Sequence, residues 1–161
     1  MLRGRHLRTA TVALIVMLLT GMTVGLASAS AYTLNVQAIT DDLAGFDLCK
    51  TTLGLTWYNP SYLTINAWAA NPSTLGTHWY VNSYSKSGPY YVFNIPYNQW
   101  VTTGSGYASY YNYDFADDSL RTDVSHSIWI DGFNNGTTNW NVSWTRSGEY
   151  WWLLDLDVVL F

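Results

Sequence analysis

Two carboxylates in the C-terminal segment are the residues of this chain that come nearest to a hydrolytic centre. Asp155 and Asp157 lie two residues apart in a stretch that alternates with apolar residues, so on a strand both side chains would share one face. Two carboxylates at short separation are the catalytic pair of glycosidases. A solvated strand face explains the same spacing. We therefore predict a protein that is not an enzyme and keep a glycosidase pair, Asp155 and Asp157, as an alternative.

Histidine chemistry has little support in the sequence. His78 and His126 are the histidines beyond the first 31 residues, and no H-x-x-x-H, C-x-x-C or G-x-S-x-G spacing is present. Zinc sites and nucleophile–histidine–acid triads need such partners. His126 alternates with Val124, Ile128 and Ile130 on one face, which predicts a buried structural histidine.

Aspartates grouped in one segment could hold a structural calcium ion. Asp114, Asp117 and Asp118 fall within five residues of each other, in a stretch without strand-like alternation. Calcium prefers six to eight oxygen ligands from carboxylates and carbonyls in loops. We predict Asp114, Asp117 and Asp118 as candidate calcium ligands, although solvated loops would show the same pattern and no cofactor is required.

A tyrosine-rich stretch is the strongest binding signal in the chain. Between residues 104 and 114 the rings alternate with Gly, Ser, Ala and Asn, the residue types that dominate adaptable binding loops. Aromatic rings stack on the apolar faces of sugars, and neighbouring polar groups bond sugar hydroxyls. The predicted ligand-binding residues are Tyr97, Trp100, Tyr107, Tyr110, Tyr111 and Tyr113.

The alternation of a strand limits which of these rings can act together. Adjacent Tyr110 and Tyr111 must face opposite sides of a strand, with Tyr113 on the side of Tyr111. At least one face of this stretch should therefore be exposed. Four tryptophans at alternating strand positions are assigned to the core instead: Trp57, Trp140, Trp144 and Trp152.

The elements that must position these side chains are strands. Period-2 alternation between turn signals recurs along residues 32–161, with no convincing helical period. We predict one all-β domain over 32–161, a single antiparallel β-sandwich of about nine strands with immunoglobulin-like or jelly-roll topology. The single cysteine, Cys49, excludes an intramolecular disulfide. A buried thiol and a disulfide between chains both remain open.

Residues 1–31 have the pattern of a secretory signal peptide. Three arginines precede a charge-free apolar run from Ala10 to Leu26, and small residues follow with two A-x-A cleavage sites. We predict a secreted, extracellular protein without a membrane span after cleavage. Removal of the signal leaves four basic residues against eleven acidic ones, a net charge of −7. This acidity argues against nucleic acid as a partner.

The sequence favours a secreted, non-catalytic domain that binds a glycan or cell-surface polysaccharide. An alternative is a self-assembling subunit of an extracellular filament, sheath or coat, joined to copies of itself by edge-strand pairing. The segments Tyr32–Thr40 and Val158–Phe161 are the predicted edges for that assembly. A secreted toxin or inhibitor is a further alternative.

Overall fold

The protein folds almost entirely into strands. A computed structural model describes residues 31–58, 63–70, 79–113 and 120–161. The strands are β1 (Ala31–Asp42), β2 (Asp47–Tyr58), β3 (Leu63–Ala70), β4 (Trp79–Asn94), β5 (Gln99–Tyr113), β6 (Arg121–Phe133), β7 (Thr138–Gly148) and β8 (Leu154–Leu160), with a 3-10 helix at Trp151–Leu153. The all-β prediction is confirmed, and these residues form eight strands where about nine were expected.

The strands form two four-stranded antiparallel sheets. Sheet A has the order β3-β2-β1-β8, and sheet B has the order β4-β5-β6-β7. Each sheet is a meander of consecutive strands, except that β8 returns to pair with β1. Immunoglobulin-like and jelly-roll topologies contain Greek-key connections. In the described strands β4, β5, β6 and β7 form one uninterrupted meander and β8 returns to lie beside β1, so the strand order differs from both predicted topologies.

Alternating apolar residues of both sheets meet in one core. One buried cluster joins residues of β1 and β2 to residues of β6: Val36, Ala38, Leu53, Leu55, Trp57, Ile128 and Ile130. A second cluster contains Cys49, Tyr110 and Val124. Burial raises the pKa of the Cys49 thiol to about 12. A fully buried, protonated thiol is a packing group, so the structure disfavours a disulfide between chains at this residue.

Trp57 joins the two sheets at one end of the core. Its indole Nε1 donates a hydrogen bond to the backbone carbonyl of Phe133 at 2.9 Å, which satisfies the polar atom of a buried ring. The ring lies directly against Gly132, where a Cβ would come within 2.5 Å of it. Only glycine leaves room for the indole at this contact.

We expect Gly132→Ala to lower the free energy of unfolding by about 1–3 kcal/mol, because the added methyl group overpacks the Trp57 ring. Urea unfolding of the two proteins measures the difference. Ser127→Ala, on an exposed side of the same strand, is the matched control and should change stability by less than about 0.5 kcal/mol. Equal stability of Gly132→Ala and the wild type would contradict the described contact.

Two of the four tryptophans assigned to the core lie elsewhere, and a third is only partly buried. Trp57 is buried as expected, but Trp140 is 36 % exposed and Trp152 is 58 % exposed. Trp144 is partly buried against the second cluster, with the Arg146 guanidinium 4.7 Å from its ring centroid. The reason is position: β7 is an edge strand, and Trp152 belongs to the 3-10 helix beyond it.

The predicted signal peptide lies outside the described residues, apart from Ala31, which begins β1. Within the described ranges, no helix has the length and apolar character needed to cross a bilayer.

Candidate ligand-binding face

The side of sheet B that faces away from sheet A is an open surface. Over residues 102–112 of β5 and 122–130 of β6, even-numbered residues are buried towards the core and odd-numbered residues are at least partly exposed on the other side. This alternation follows from the pleat, which sends successive side chains to opposite faces. We call the outward side the outer face of sheet B. No described strand packs over its centre.

Cross-strand pairing arranges hydroxyl and amide groups in rows on this face. The register between β5, β6 and β7 produces the rows Ser109–Ser125–Thr145, Tyr107–Ser127–Ser143 and Ser105–Trp129–Asn141. Ser125 Oγ and Thr145 Oγ1 lie 2.7 Å apart, and Ser83 Oγ of β4 lies 2.8 Å from Ser109 Oγ. The side chains are therefore held in place before any ligand arrives.

Partly exposed aromatic rings lie on the same face as these rows. Tyr107 is 41 % exposed. Farther along β5, Tyr111 stacks on Tyr80 with ring centroids 5.3 Å apart, and the Arg121 guanidinium lies 4.6 Å from the Tyr111 centroid. Arg121 also donates to the Asp123 carboxylate at 2.8 Å, which neutralises both charges locally. The face thus combines apolar ring surface with neutral hydrogen-bonding groups.

A shallow depression occupies the middle of the face. Its volume is about 290 Å³, and its walls include Asn82, Ser83, Tyr107, Ser109, Ser125 and Thr145. The lining also includes the Asp123 carboxylate, which is paired with Arg121. One exposed ring beside hydroxyl and amide groups matches the two surfaces of a sugar ring, one apolar and one rich in hydroxyls. The depression is broad and open, so it suits a ligand that lies along the sheet.

The six predicted binding residues do not form one site. Tyr107, Tyr111 and Tyr113 share the outer face, as the alternation required. The prediction for Tyr110 as a ligand contact is wrong, because this residue points to the core and is fully buried. Trp100 is exposed but points to the opposite side of β5 from Tyr107, and its ring stacks on Tyr91 at 5.1 Å.

Tyr97 lies at the end of the outer face. It belongs to the turn between β4 and β5, where its hydroxyl accepts a hydrogen bond from Asn139 Nδ2 at 2.7 Å. Its ring meets Phe133 edge-on at 5.4 Å. Tyr97 therefore covers one end of the face and borders the polar rows.

Trp129 is the ring that sequence reasoning missed. It points outward from β6, next to Ser105 of β5. The signal was present, because the apolar face that includes His126 and Ile128 implies an opposite face formed by Ser125, Ser127 and Trp129. What the sequence lacked was the register that brings Trp129 close to Tyr107.

A buried chain of hydrogen bonds fixes the inner side of the same strands. The Tyr110 hydroxyl donates to the Lys50 carbonyl, so it accepts from Thr51 Oγ1 at 2.8 Å. Thr51 then accepts from His126 Nδ1 at 2.8 Å, and His126 Nε2 accepts from Thr40 Oγ1 at 2.7 Å. The chain needs a neutral imidazole, and burial lowers the pKa of His126 to about 4. The predicted structural role of His126 is confirmed.

Carboxylates gather on the opposite side of the molecule, on the outer side of sheet A. Burial, with the nearby charges of Asp47 and Asp157, raises the pKa of Asp41 to about 6. Asp155 and Asp157 are exposed on β8, paired with Asp41 and Ile39. The described residues hold no group of three or more His, Cys, Asp or Glu side chains suited to a metal. The predicted calcium ligands Asp114, Asp117 and Asp118 lie outside the described residues.

His126 and Asp41 predict opposite pH dependences of stability. The lowered pKa of His126 means that its contribution, worth about 3 kcal/mol, is present above pH 6.5 and is lost as the pH falls towards 4. The raised pKa of Asp41 means that the folded state keeps a proton that the unfolded state releases. Stability from Asp41 is therefore lost as the pH rises from about 4 to 6.

We expect Asp41→Asn to remove the second contribution and leave the first. Its stability relative to the wild type should increase between pH 4 and 6 and then stay constant. Its own free energy of unfolding should rise towards pH 6.5. Urea unfolding at four pH values between 4 and 7 measures both curves, and parallel curves for variant and wild type would contradict the assigned role of Asp41.

Comparison with known proteins gives no relative for this chain. No protein-family model matches it, and no curated protein or solved structure is significantly similar to it.

Proposed function

We propose that the protein is a secreted, non-catalytic domain whose outer face of sheet B binds an extended, neutral polysaccharide. The proposal treats the two sheets as a β-sandwich whose hydrophobic core includes Trp57, Leu55 and Ile130. In such an architecture the inner faces of both sheets form the core, and the outer face of either sheet can contact solvent or a ligand.

The observation that carries the proposal is the position of Tyr107 and Trp129 among rows of hydroxyl groups. Tyr107 lies between Ser85 of β4 and Ser127 of β6, and Trp129 lies between Ser105 of β5 and Asn141 of β7. Rings can stack on the apolar faces of sugars, and side-chain hydroxyls and amides can bond their edges. Exposed aromatic surface in a polar surround is the usual mark of a binding site on a protein surface.

The shape of the face favours a chain of sugars over a single sugar. The rows run from Thr103 to Tyr111 along β5, a length of about 27 Å at the rise of a strand. Single-sugar sites are concave and enclose most of the ligand. This face has a shallow, open centre, which suits side-on contact with several consecutive units.

The charges of the face favour a neutral ligand. Among the described outward residues of β5, β6 and β7, Arg121 is the cation, and Asp123 holds it. Asp131 is buried at the Tyr97 end, where Asn94 Nδ2 donates to it at 3.3 Å. Anionic glycans need unpaired Lys or Arg groups, which this part of the face does not offer.

The proposal has no hydrolytic step. The alternative catalytic pair, Asp155 and Asp157, lies on the outer side of sheet A, whereas the proposed ligand lies on the outer side of sheet B. A sugar chain bound across Tyr107 would be remote from both carboxylates. Binding without cleavage is the activity that this arrangement favours.

Self-assembly is a second candidate function, and strand β8 favours it. The predicted edge Tyr32–Thr40 is occupied over Asn35–Thr40, where β1 pairs with β2 and β8 on its two sides, whereas the described strands pair Tyr32–Leu34 with β2 alone. The other, Val158–Phe161, belongs to or follows β8 at the edge of sheet A. Assembly through this edge and glycan binding on sheet B use different surfaces and are compatible.

An array of polysaccharides tests the proposed function. Residues 32–161 should be retained by at least one neutral, extended polysaccharide, and should bind its monosaccharide and uronic-acid or sulfated glycans much more weakly. Retention only by anionic glycans would contradict the charge argument. Absence of binding to every glycan on the array would contradict the proposal itself.

A further inference from the structure

Strand β8 presents an apolar, unguarded edge. The exposed fractions of Val158, Val159, Leu160 and Phe161 are 38, 42, 45 and 60 %. Proteins usually protect edge strands with lysines, prolines, bulges or covering loops. Residues 156–161 contain no lysine and no proline. Asp157 is the charged side chain within this range, and Asp155 lies just before it.

Hydrogen bonds to β1 determine which backbone groups of β8 are available. Phe161 and Asn35 exchange two backbone hydrogen bonds, at 3.0 and 3.1 Å. In an antiparallel pair such doubly bonded residues alternate with residues whose N–H and C=O groups point away. Asp157 and Val159 therefore bond to β1, whereas Leu156, Val158 and Leu160 direct their backbone groups outward.

Those outward groups meet no strand in the described part of the chain. β7, the edge strand of sheet B, contacts β8, the edge strand of sheet A, but no ladder of hydrogen bonds joins the two strands. Two of these groups have side-chain partners: the Leu154 carbonyl accepts from Arg146 Nη1 of β7, and the Leu156 N–H donates to Asp155 Oδ1 at 2.9 Å. Beyond these contacts, the inner side chains Trp140, Val158 and Leu160 remain partly exposed.

We propose that β8 pairs antiparallel with β8 of a second copy, about a twofold axis at Val158. In this register Val158 faces its own equivalent, and Leu156 faces Leu160 of the second copy. All three residues have outward backbone groups, and each pair can exchange two hydrogen bonds once the Leu156 N–H, which donates to Asp155 Oδ1 at 2.9 Å within the single chain, changes partner. The Leu154 carbonyl, already bonded by Arg146, is not needed.

The charges of β8 select this register. With the axis at Val158, Asp157 lies opposite Val159 of the second copy, and Asp155 lies opposite Phe161. Two other registers have outward groups at the centre: an axis at Leu156 would place Asp155 opposite Asp157, and an axis at Leu160 would pair only residues 159–161 of the described strand. Like charges directly opposite each other destabilise a strand pair. The axis at Val158 keeps the four carboxylates apart and also pairs all of residues 155–161.

Self-complementarity is the reason that a second copy is the partner. One sequence supplies matching hydrogen-bonding groups, matching apolar residues and separated charges on both sides of the axis. Pairing of this kind uses the same patch on both subunits and closes after two copies. β8 pairing therefore produces a dimer with a continuous eight-stranded sheet, and it cannot by itself build a filament.

Sedimentation velocity over a range of concentrations tests the dimer, with Val158→Pro as the decisive variant. The Val158 N–H points away from β1, so proline removes a bond to the second copy and none within sheet A. We expect a wild-type dimer and a Val158→Pro monomer with an unchanged circular dichroism spectrum. A wild-type protein that stays monomeric at the highest concentration, or a folded Val158→Pro dimer, would overturn the proposal.

Two substitutions at Val159 test the register of the dimer without requiring strand β8 to accommodate a proline. The Val159 side chain is exposed and would lie opposite Asp157 of the second copy, twice per dimer. We expect Val159→Glu to weaken the dimer by about two- to thirtyfold and Val159→Lys to preserve or tighten it. Equal dimer constants for the two variants would overturn the register.

Discussion

Trp57→Ala is expected to lower the free energy of unfolding by about 3–5 kcal/mol, the range for truncating a buried aromatic residue. The Trp57 ring is 1 % exposed and packs with residues of both sheets. Removing it would also leave the Phe133 carbonyl without the indole donor. Since both losses act at the contact between sheet A and sheet B, thermal or urea unfolding should show the change directly.

Trp152→Ala is the matched control for this prediction. Trp152 lies in the 3-10 helix between β7 and β8, and more than half of it is exposed. Surface substitutions usually change stability by about 0.5 kcal/mol or less. Similar losses for the two tryptophan variants would mean that the sheets do not share the described core.

Tyr110→Ala should also cost about 3–5 kcal/mol of stability. The ring is fully buried in the second cluster, and its hydroxyl links Thr51 to the Lys50 carbonyl. Tyr110→Phe keeps the ring and removes the hydroxyl. We expect this variant to lose about 1–3 kcal/mol, because buried partners are left without a hydrogen bond.

Tyr107→Ala provides the control for Tyr110, since both residues lie on β5 but on opposite faces. Its ring is exposed, so its stability should stay close to that of the wild type. Urea unfolding of the three variants measures the order of stabilities. A Tyr110→Phe protein as stable as the wild type would contradict the buried chain of hydrogen bonds.

Local alternation was enough to predict much of the fold. The opposite orientations of Tyr110 and Tyr111, and the burial of His126, follow from the two-residue period of a strand. The order of the strands does not follow from this period, because alternation identifies faces but not neighbours. Trp140 and Trp152 were misassigned for the same reason: their exposure depends on β7 being an edge and on the 3-10 helix.

The candidate site shows the same division between local and long-range information. Tyr107 and Tyr111 could be placed on one face from their spacing alone. Trp100 was grouped with them because it is near in sequence, although its position on β5 directs it to the other side. Trp129 reaches the site only through the register between β5 and β6, which depends on pairing between distant segments.

The central claim is tested most directly by measuring affinity for a neutral polysaccharide that retains the protein on the array. The wild type and single alanine variants are compared. By analogy with stacking of bases on aromatic side chains, Tyr107→Ala and Trp129→Ala should each lose about 1–3 kcal/mol of binding free energy. Trp100→Ala, on the other side of β5, should bind as the wild type does. Unchanged affinity in the first two variants together with lost affinity in Trp100→Ala would contradict a binding site on the outer face of sheet B.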